Sequence, residues 1–582
     1  MVTVTIDGRT VSVPERTTIL DAARAAGIQI PTLCYWKDLN EIGACRVCVV
    51  EVEGYERLFT ACNNTVDEGM VIHTNSARAL QARRTNVQLI LSEHNTSCTT
   101  CVRSGSCRLQ DIAGDLNILD NPYPQHLPKK KAPSDFPLVR DNQKCIKCMR
   151  CVQVCEKVQK TGIWDVINTG AQTSVDVTKV YSLEESDCAL CGQCITHCPV
   201  GALSERDDTA KVLRAIHNPE ITTVFQIAPS VRAGWGETFG MKPERATVRR
   251  LAAVLRTIGA DYVFDSDFSA DLTIMEESAE LLERLAHKGT EPLPLFTSCC
   301  PGWVRYCKGH FPQFVSQIST SKSPQQMFGA MIKSYFAQKI GTDPKKICSI
   351  SIMPCLAKKA ECALPTMQDE DGNRDVDIVL TTREVSRLIR MCHILPDELP
   401  EEDMDAPLDI GSGAGNIFGA SGGVMEAALR TAYGKVTGEN PDPDHTFLAV
   451  RGMKGWKEAE YDLAGMKLKV AVVSGLGNAS DLLTALEKKE VSYDFVEVMA
   501  CPGGCVGGGG QPIHDGLEMA PKRAPALYEQ DRAMTLRLSH ENPAIKTCYA
   551  EFLKEPLSPL AEKLLHTDQH GWRMPGESET RL

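Results

Sequence analysis

Residues 296 to 304 read FTSCCPGWV, which sets Cys299 and Cys300 side by side at the end of an apolar run with a Pro-Gly turn behind them. Neighbouring residues rarely meet disulfide geometry, so the pair points to metal ligation or thiol chemistry. The remaining cysteines point the same way. Of 25 cysteines, fifteen precede residue 200, most in CxxC spacing, and ten are spread over the rest of the 582-residue chain. The N-terminus MVTVTIDGRTVSV alternates like a strand instead of reading as an export signal, so the thiols are expected to stay reduced and to serve metals.

Four sets stand out in the first 200 residues. Cys34, Cys45, Cys48 and Cys62, spaced Cx10CxxCx13C, suit a 2Fe-2S cluster; a zinc ribbon is the other reading, although it expects a second CxxC pair. His94, Cys98, Cys101 and Cys107 form HxxxCxxCxxxxxC, which suits zinc or a 4Fe-4S cluster with one histidine ligand; its place between ferredoxin-like segments favours the cluster. Cys145, Cys148, Cys151 and Cys155 make CxxCxxCxxxC, and Cys188, Cys191, Cys194 and Cys198 repeat it. In such two-cluster runs the fourth cysteine ligates the other cluster, which pairs Cys198 with Cys145, Cys148 and Cys151, and Cys155 with Cys188, Cys191 and Cys194. Glu156 follows the first run where simple ferredoxins have Pro, and strand-like SVDVTKVYSL lies between the copies. A row of clusters conducts single electrons between a surface partner and an interior site.

From about residue 215 strands and helices alternate, as in TTVFQIAPS, RATVRRLAAVLRTIG and DYVFDS, which predicts an α/β domain. Cysteines directly follow apolar strand-like runs in PLFTSCCPGW, CSISIMPCLAKKAE and YDFVEVMACPGGCVGGGGQP. Ligands gather at the carboxyl ends of strands in open α/β sheets, so Cys300, Cys355, Cys501 and Cys505 are expected to converge, with enough thiolates for one further cubane. In MEESAELLERL, Glu277 and Glu280 lie three apart with Arg284 four further on; the residues alone read as a solvated helix stripe, and Glu276 as its bland neighbour. GLGNAS lacks the third glycine of a dinucleotide fingerprint, and no nucleotide site is expected in this chain. Cys307, Cys348, Cys362, Cys392 and Cys548 match no motif and read as inert thiols.

TSCCPGW, MPCLAKKAE and EVMACPGGCVGGGGQP resemble the three signature motifs of the iron-only (FeFe) hydrogenases. The two leading cysteine sets also resemble those of that family and of the large electron-transfer subunit of respiratory complex I. The resemblance covers nearly the whole chain and implies an H-cluster: a 4Fe-4S cubane joined through a cysteine sulfur to a two-iron subsite with CO, cyanide and a bridging dithiolate. It implies Cys300, Cys355 and Cys501 as cubane ligands and Cys505 as the shared one. Cys299 becomes the proton-passing thiol, with Glu277, Ser319, Glu280 and Arg284 continuing the relay. Lys358 becomes the cyanide partner, Ser230 and Gln325 neighbours of the diatomic ligands, and Met353, Met499 and Phe418 apolar packing around the subsite. The expected reaction is H2 = 2 H+ + 2 e-.

The expected architecture is multidomain α+β and α/β. A β-grasp 2Fe-2S ferredoxin-like domain (1–78) is followed by a histidine-ligated 4Fe-4S domain (79–120), a Pro-rich linker (121–137) and a ferredoxin domain with two 4Fe-4S clusters (138–212). A two-lobed α/β H-cluster domain (213–520), a helical small-subunit-like segment (521–567) and a frayed tail (568–582) complete it. A formal net charge of -12 argues against nonspecific nucleic-acid binding, and no run reaches the length of a membrane helix, so a cytoplasmic protein is expected. The resemblance implies ferredoxin or separate flavin and NAD(P)-binding subunits as electron partners, and maturation proteins that supply the two-iron subsite. A non-catalytic electron-transfer subunit accounts for the first 210 residues but not for the three motifs. A hydrogenase-derived iron-sulfur assembly protein generally lacks the relay residues present here.

Overall fold

The computed structural model describes residues 1–129, 135–178, 180 and 182–575. The chain opens with the strands Val2–Ile6 and Arg9–Val13, joined at Asp7 and Gly8, both with positive φ, the geometry a tight hairpin needs. They sit at one side of a five-stranded sheet completed by Val71–His73, Val49–Val52 and Phe59–Thr60, with Val71–His73 parallel to the first strand. The helix Ile19–Ala25, capped by the Thr18 hydroxyl, buries Ile19, Leu20, Ala22 and Ala23 against this sheet.

The helix Ala77–Ser92 leads into a loop-rich segment that holds the histidine-containing set and ends in the helix Arg108–Asp115. Two small antiparallel ribbons follow, Leu138–Arg140 with Leu203–Glu205 and Asp165–Ile167 with Ser174–Asp176. In the strand-like run SVDVTKVYSL the strand is Ser174–Asp176; Lys179 and Tyr181 lie outside the described residues, as do 130–134 of the expected linker.

The α/β part contains two four-stranded sheets. The first runs Tyr262–Asp265, Thr222–Ile227, Ile347–Met353, Ile378–Thr381, all parallel. The second runs Leu295–Phe296, Phe495–Met499, Met466–Ser474, Trp456–Leu463, parallel except for the last pair. Phe495–Met499 and Ile378–Thr381 are buried along their whole length, as expected of strands covered on both faces. The 20-residue helix Asp267–Ala286 packs against Pro324–Met331, Gly413–Asn416, Gly423–Thr437 and Pro543–Cys548, so nearly every side of it is covered.

The C-terminal helices Ala520–Ala533, Pro543–Cys548 and Pro559–Leu565 wrap this domain. The first continues through Pro525 instead of breaking there. Of the stretch expected as a frayed tail, residues 568–575 are anchored and 576–582 lie outside the described residues. Trp572 and Met574 are buried with Phe296, Trp303 and Tyr306, and Lys308 Nζ sits 4.3 Å from the Trp572 ring centre and donates to Gln569 O. Two apolar side chains supply the reason: their burial outweighs the polar composition around them.

Candidate active site

Cysteines at the carboxyl ends of three strands converge. Cys300 caps the helix Pro301–His310 just beyond Leu295–Phe296, Cys355 follows Ile347–Met353, and Cys501 and Cys505 follow Phe495–Met499. Burial raises all four thiols and each interacts electrostatically with others of the set; Cys355 is pushed up to about 12. Cys300 Sγ accepts from Ala500 N at 3.4 Å. Four thiols gathered here with Lys358 as the nearby positive charge are a poor core and a good donor set: a cationic iron cluster would reverse the desolvation penalty by holding them as thiolates.

The glycine run makes the close packing possible. Gly504, at φ 93°, approaches the backbone so closely that a Cβ would lie 2.6 Å from Ser421 N. At Gly509 a Cβ would lie 2.5 Å from both Cys191 O and Gly192 Cα, so this loop touches the iron-sulfur loop of the preceding domain. Cys501 Sγ donates to Cys191 O at 3.7 Å across the same contact.

Beside the thiols lies a cavity of about 70 Å³, well above the ~10–15 Å³ that admits a single water. Its walls include Ser230, Cys299, Gln325, Met353, Lys358, Phe418 and Met499, together with Cys300, Cys355 and Cys505. The wall is mostly apolar, with a few aimed polar groups. These features fit a compact metal group: sulfur donors on one side, a dry space on the other, and a lysine at its edge.

Lys358 Nζ donates to Cys299 O at 3.1 Å and to Glu361 Oε2 at 3.0 Å. Gln325 Nε2 donates to Glu361 Oε2 at 3.1 Å, and its Oε1 accepts from Ser351 Oγ at 3.0 Å. Ser323 Oγ also reaches Glu361, at 3.0 Å. Glu361 therefore orients both polar groups, a role that sequence reasoning misses. Its signal lies in the quoted motif, as a Lys and a Glu three apart on one helical turn.

Glu277, Glu280 and Arg284 are buried, contrary to a solvated stripe. Ser319 Oγ donates to Glu280 Oε2 at 2.6 Å and also interacts with Glu277; Arg284 donates to Glu280 Oε1 at 2.6 Å. Burial, with the nearby Glu280 charge, pushes Glu277 up to about 8, and burial with the Glu277 charge raises Cys299 well above the ordinary thiol range. Both groups thus hold protons near neutral pH. Glu276 is no bland neighbour either: it is fully buried, accepting from the Tyr549 hydroxyl and from Leu557 N at 2.9 Å, with His566 Nε2 at 3.1 Å.

The other sets gather in the segment before residue 210. Cys34 lies close enough to Cys45, and Cys48 to Cys62, for each thiol to shift the other. His94 Nδ1 meets Lys144 O at 3.0 Å, which orients the ring and leaves Nε2 for a metal. His94, Cys98, Cys101 and Cys107 line one cavity of about 300 Å³. Cys198 lies in electrostatic range of Cys145, Cys148 and Cys151, and Cys155 in range of Cys188, Cys191 and Cys194. Asn40 Nδ2 donates to Cys34 O at 2.7 Å and to Cys148 O at 2.9 Å, tying the first set to the third.

Comparison with known proteins places these features. Residues 221–509 match the model of the iron only hydrogenase large subunit, C-terminal domain, and residues 517–570 that of the iron hydrogenase small subunit. Residues 1–77 match a 2Fe-2S iron-sulfur cluster binding domain, 83–122 the NADH-ubiquinone oxidoreductase-G iron-sulfur binding region, and 144–202 a 4Fe-4S dicluster domain. The NADP-reducing hydrogenase subunit HndD of Solidesulfovibrio fructosivorans is 47% identical, covering 97% of this chain and 98% of the relative. Iron hydrogenase 1 of Clostridium pasteurianum is 39% identical over 97% and 99%. A structure of apo [FeFe]-hydrogenase HydA1 from Chlamydomonas reinhardtii matches with a TM-score of 0.57 and 41% identity, covering 64% of this chain and all of that one. No helix among the described residues is long and apolar enough to cross a membrane. The chain belongs to the iron-only (FeFe) hydrogenases, oxidoreductases that act on H2 at an H-cluster.

Proposed function

We propose that Cys300, Cys355, Cys501 and Cys505 hold the cubane, Cys505 being shared with the two-iron subsite, and that Cys299 begins the proton route. When bound, the H-cluster supplies the metal at which H2 is formed or split. The observation that carries the reading is a series of buried titratable or hydroxyl groups that starts with Cys299 at the cavity wall: Glu277 lies in electrostatic range of Cys299 and keeps a buried oxygen without a partner, and Ser319, Glu280 and Arg284 are joined by hydrogen bonds. Cys299 holds a proton beside the cavity. Glu277, raised to about 8, takes or gives it near neutral pH, and Ser319 links Glu277 to Glu280. Arg284 holds Glu280 in place through its guanidinium. Lys358, anchored by Glu361 and Cys299 O, would offer a charged donor suited to an anionic cyanide, while Ser230 and Gln325 line the cavity that would take the diatomic ligands and Met353, Met499 and Phe418 would keep water out.

Electrons pass along one 2Fe-2S cluster at Cys34, Cys45, Cys48 and Cys62 and three 4Fe-4S clusters. The contact between Cys501 and Cys191 supports entry from the cluster of Cys155, Cys188, Cys191 and Cys194. The relative named as an NADP-reducing subunit, similar over nearly the full chain, supports flavin and NAD(P)-binding subunits as partners, with ferredoxin the alternative acceptor, and a cytoplasmic setting where those nucleotides are found. Dedicated maturation proteins deliver the two-iron subsite.

Infrared spectroscopy of the matured chain under H2 and then CO tests the reading. Metal-bound CO and cyanide bands that shift between gases are expected; their absence after verified maturation overturns it.

A further inference from the structure

Between the loop 102–106 of the histidine-set segment and the helix Thr382–Met391 lies a cavity of about 470 Å³, within the range of small-molecule sites. It is distinct from the hydrogen site and shares no lining residue with it. Arg383, Arg387 and Arg390 stand at spacings of four and three on one helix face and line it from one side, and Arg103 lines it from the other. Arg383 is fully engaged by Glu205, Gln511 O and Gly509 O. Arg387 gives one amino group to Glu205 Oε1 at 2.8 Å, and its Nε stands 3.7 Å from Asp207. Arg390 donates once, to Thr238 O at 3.0 Å.

Arg103 is the anomaly. The residue is only 7% exposed and its Nε is buried without a hydrogen-bond partner, while its charge feels Asp515, Cys198 and Cys107 at longer range. Asp515 and the thiols of Cys198 and Cys107 offset part of the cost of burying this charge, and an anion in the cavity would add to that from the other side. Glu237, the only carboxylate on the wall among the described residues, is already taken by Arg523 at 2.6 Å and His514 at 2.8 Å. The cavity keeps a cationic excess facing its interior.

We propose that this cleft binds a diphosphate, as inorganic pyrophosphate or as the diphosphate of a nucleotide. Guanidinium forks pair bidentately with phosphate oxygens, and cations on opposite walls suit two linked phosphate groups better than one. Ser104 and Ser106 add hydroxyls beside Arg103, and Thr238 adds one beside Arg390 and Ser386. The Arg103 loop also joins Cys101 to Cys107, so a bound anion would favour the oxidised form of the cluster proposed there; this consequence rests on the ligand assignment above, whereas binding itself does not.

Isothermal titration of the anaerobic, cluster-loaded chain at low ionic strength with pyrophosphate and, separately, with ADP tests the proposal. Saturable one-site binding is expected, weakened at least tenfold in R103Q and several-fold in R390Q, whose exposed side chain can change without disturbing the core. Tighter binding of ADP identifies a nucleotide site, and equal or weaker binding identifies a free-anion site. No saturable binding of either at millimolar concentration, or binding indifferent to both substitutions, overturns it. In an accompanying redox titration followed by electron paramagnetic resonance, pyrophosphate should move the midpoint of the histidine-ligated cluster to more negative potential. Binding without that movement supports the cleft and removes the coupling.

Discussion

In the iron-sulfur segment a proposed donor set comes almost entirely from one loop: Cys145, Cys148 and Cys151 lie within seven residues, and the proposal adds only Cys198 from elsewhere. In the two-sheet domain Cys300, Cys355, Cys501 and Cys505 arrive from three strand ends, and nothing local links the first to the last. The two regions solve one problem, gathering thiols, by different physics. Loop-borne sets need little core, whereas strand-borne sets are positioned by the parallel sheets beneath them and inherit their rigidity.

The contrast is sharpest if one thiol is removed from each kind of site. Cys355→Ala should abolish turnover and eliminate the CO and cyanide bands after maturation, because no neighbouring loop can supply a fourth donor to a site held by sheets. Cys145→Ala should alter the electron paramagnetic resonance of one accessory cluster while those bands persist. Equal damage to the infrared spectrum from both substitutions would mean that the two regions assemble as one unit.

A second test separates ligands from the proton route. Cys299 adjoins Cys300, yet Cys299→Ala should leave the infrared bands in place and lower turnover by about 10²–10⁴-fold, the usual contribution of a positioned proton donor. Full activity in this variant would remove Cys299 from the relay.

These differences also decide what can be read without the structure. CxxC runs carry their geometry in their spacing, and the three strand-end motifs can be located because apolar runs precede them. Glu276, Glu277 and Glu280 cannot be placed by pattern, since a charged helix stripe reads as solvated. What buries the stripe is long-range cover from Pro324–Met331, Gly423–Thr437 and the C-terminal helices, invisible in the ten residues around it. Glu361 escapes notice for a related reason: its partners Ser323 and Gln325 lie on another helix start, more than thirty residues away. The anchored tail depends on two apolar residues in a polar stretch, too few to register as a pattern.

The buried stripe makes a pH-dependent prediction. Glu277 is raised from 4.5 to about 8, so its contribution to stability is fully present below pH about 4.5 and is lost as pH rises through about 8. Glu277→Gln removes the loss. Its thermal midpoint should exceed that of the wild type by an amount that widens from pH 6 to about pH 8 and stays constant above, corresponding to about 3–5 kcal/mol at most. A gap independent of pH would show that burial does not raise Glu277 above its value in the unfolded chain. Turnover should fall with the same substitution, since an amide cannot carry the proton onward.

The smallest effect should come where the two regions touch. A Cβ at Gly509 meets backbone on the opposing loop, 2.5 Å from Cys191 O and Gly192 Cα, and backbone yields less readily than a side-chain tip. Gly509→Ala should therefore cost about 1–3 kcal/mol, the usual penalty of overpacking. That cost should appear as a looser junction between the regions rather than as a damaged metal site. Reduction of the hydrogen site through the accessory clusters should slow, while the infrared bands stay at wild-type positions and activity with a small dye that reduces the site directly is retained. Slowed dye-linked activity would show instead that the glycine run supports the strand-borne thiols themselves. Wild-type rates by both routes would show that the loops move apart without consequence, and that the contact between Cys501 and Cys191 does not govern entry of electrons.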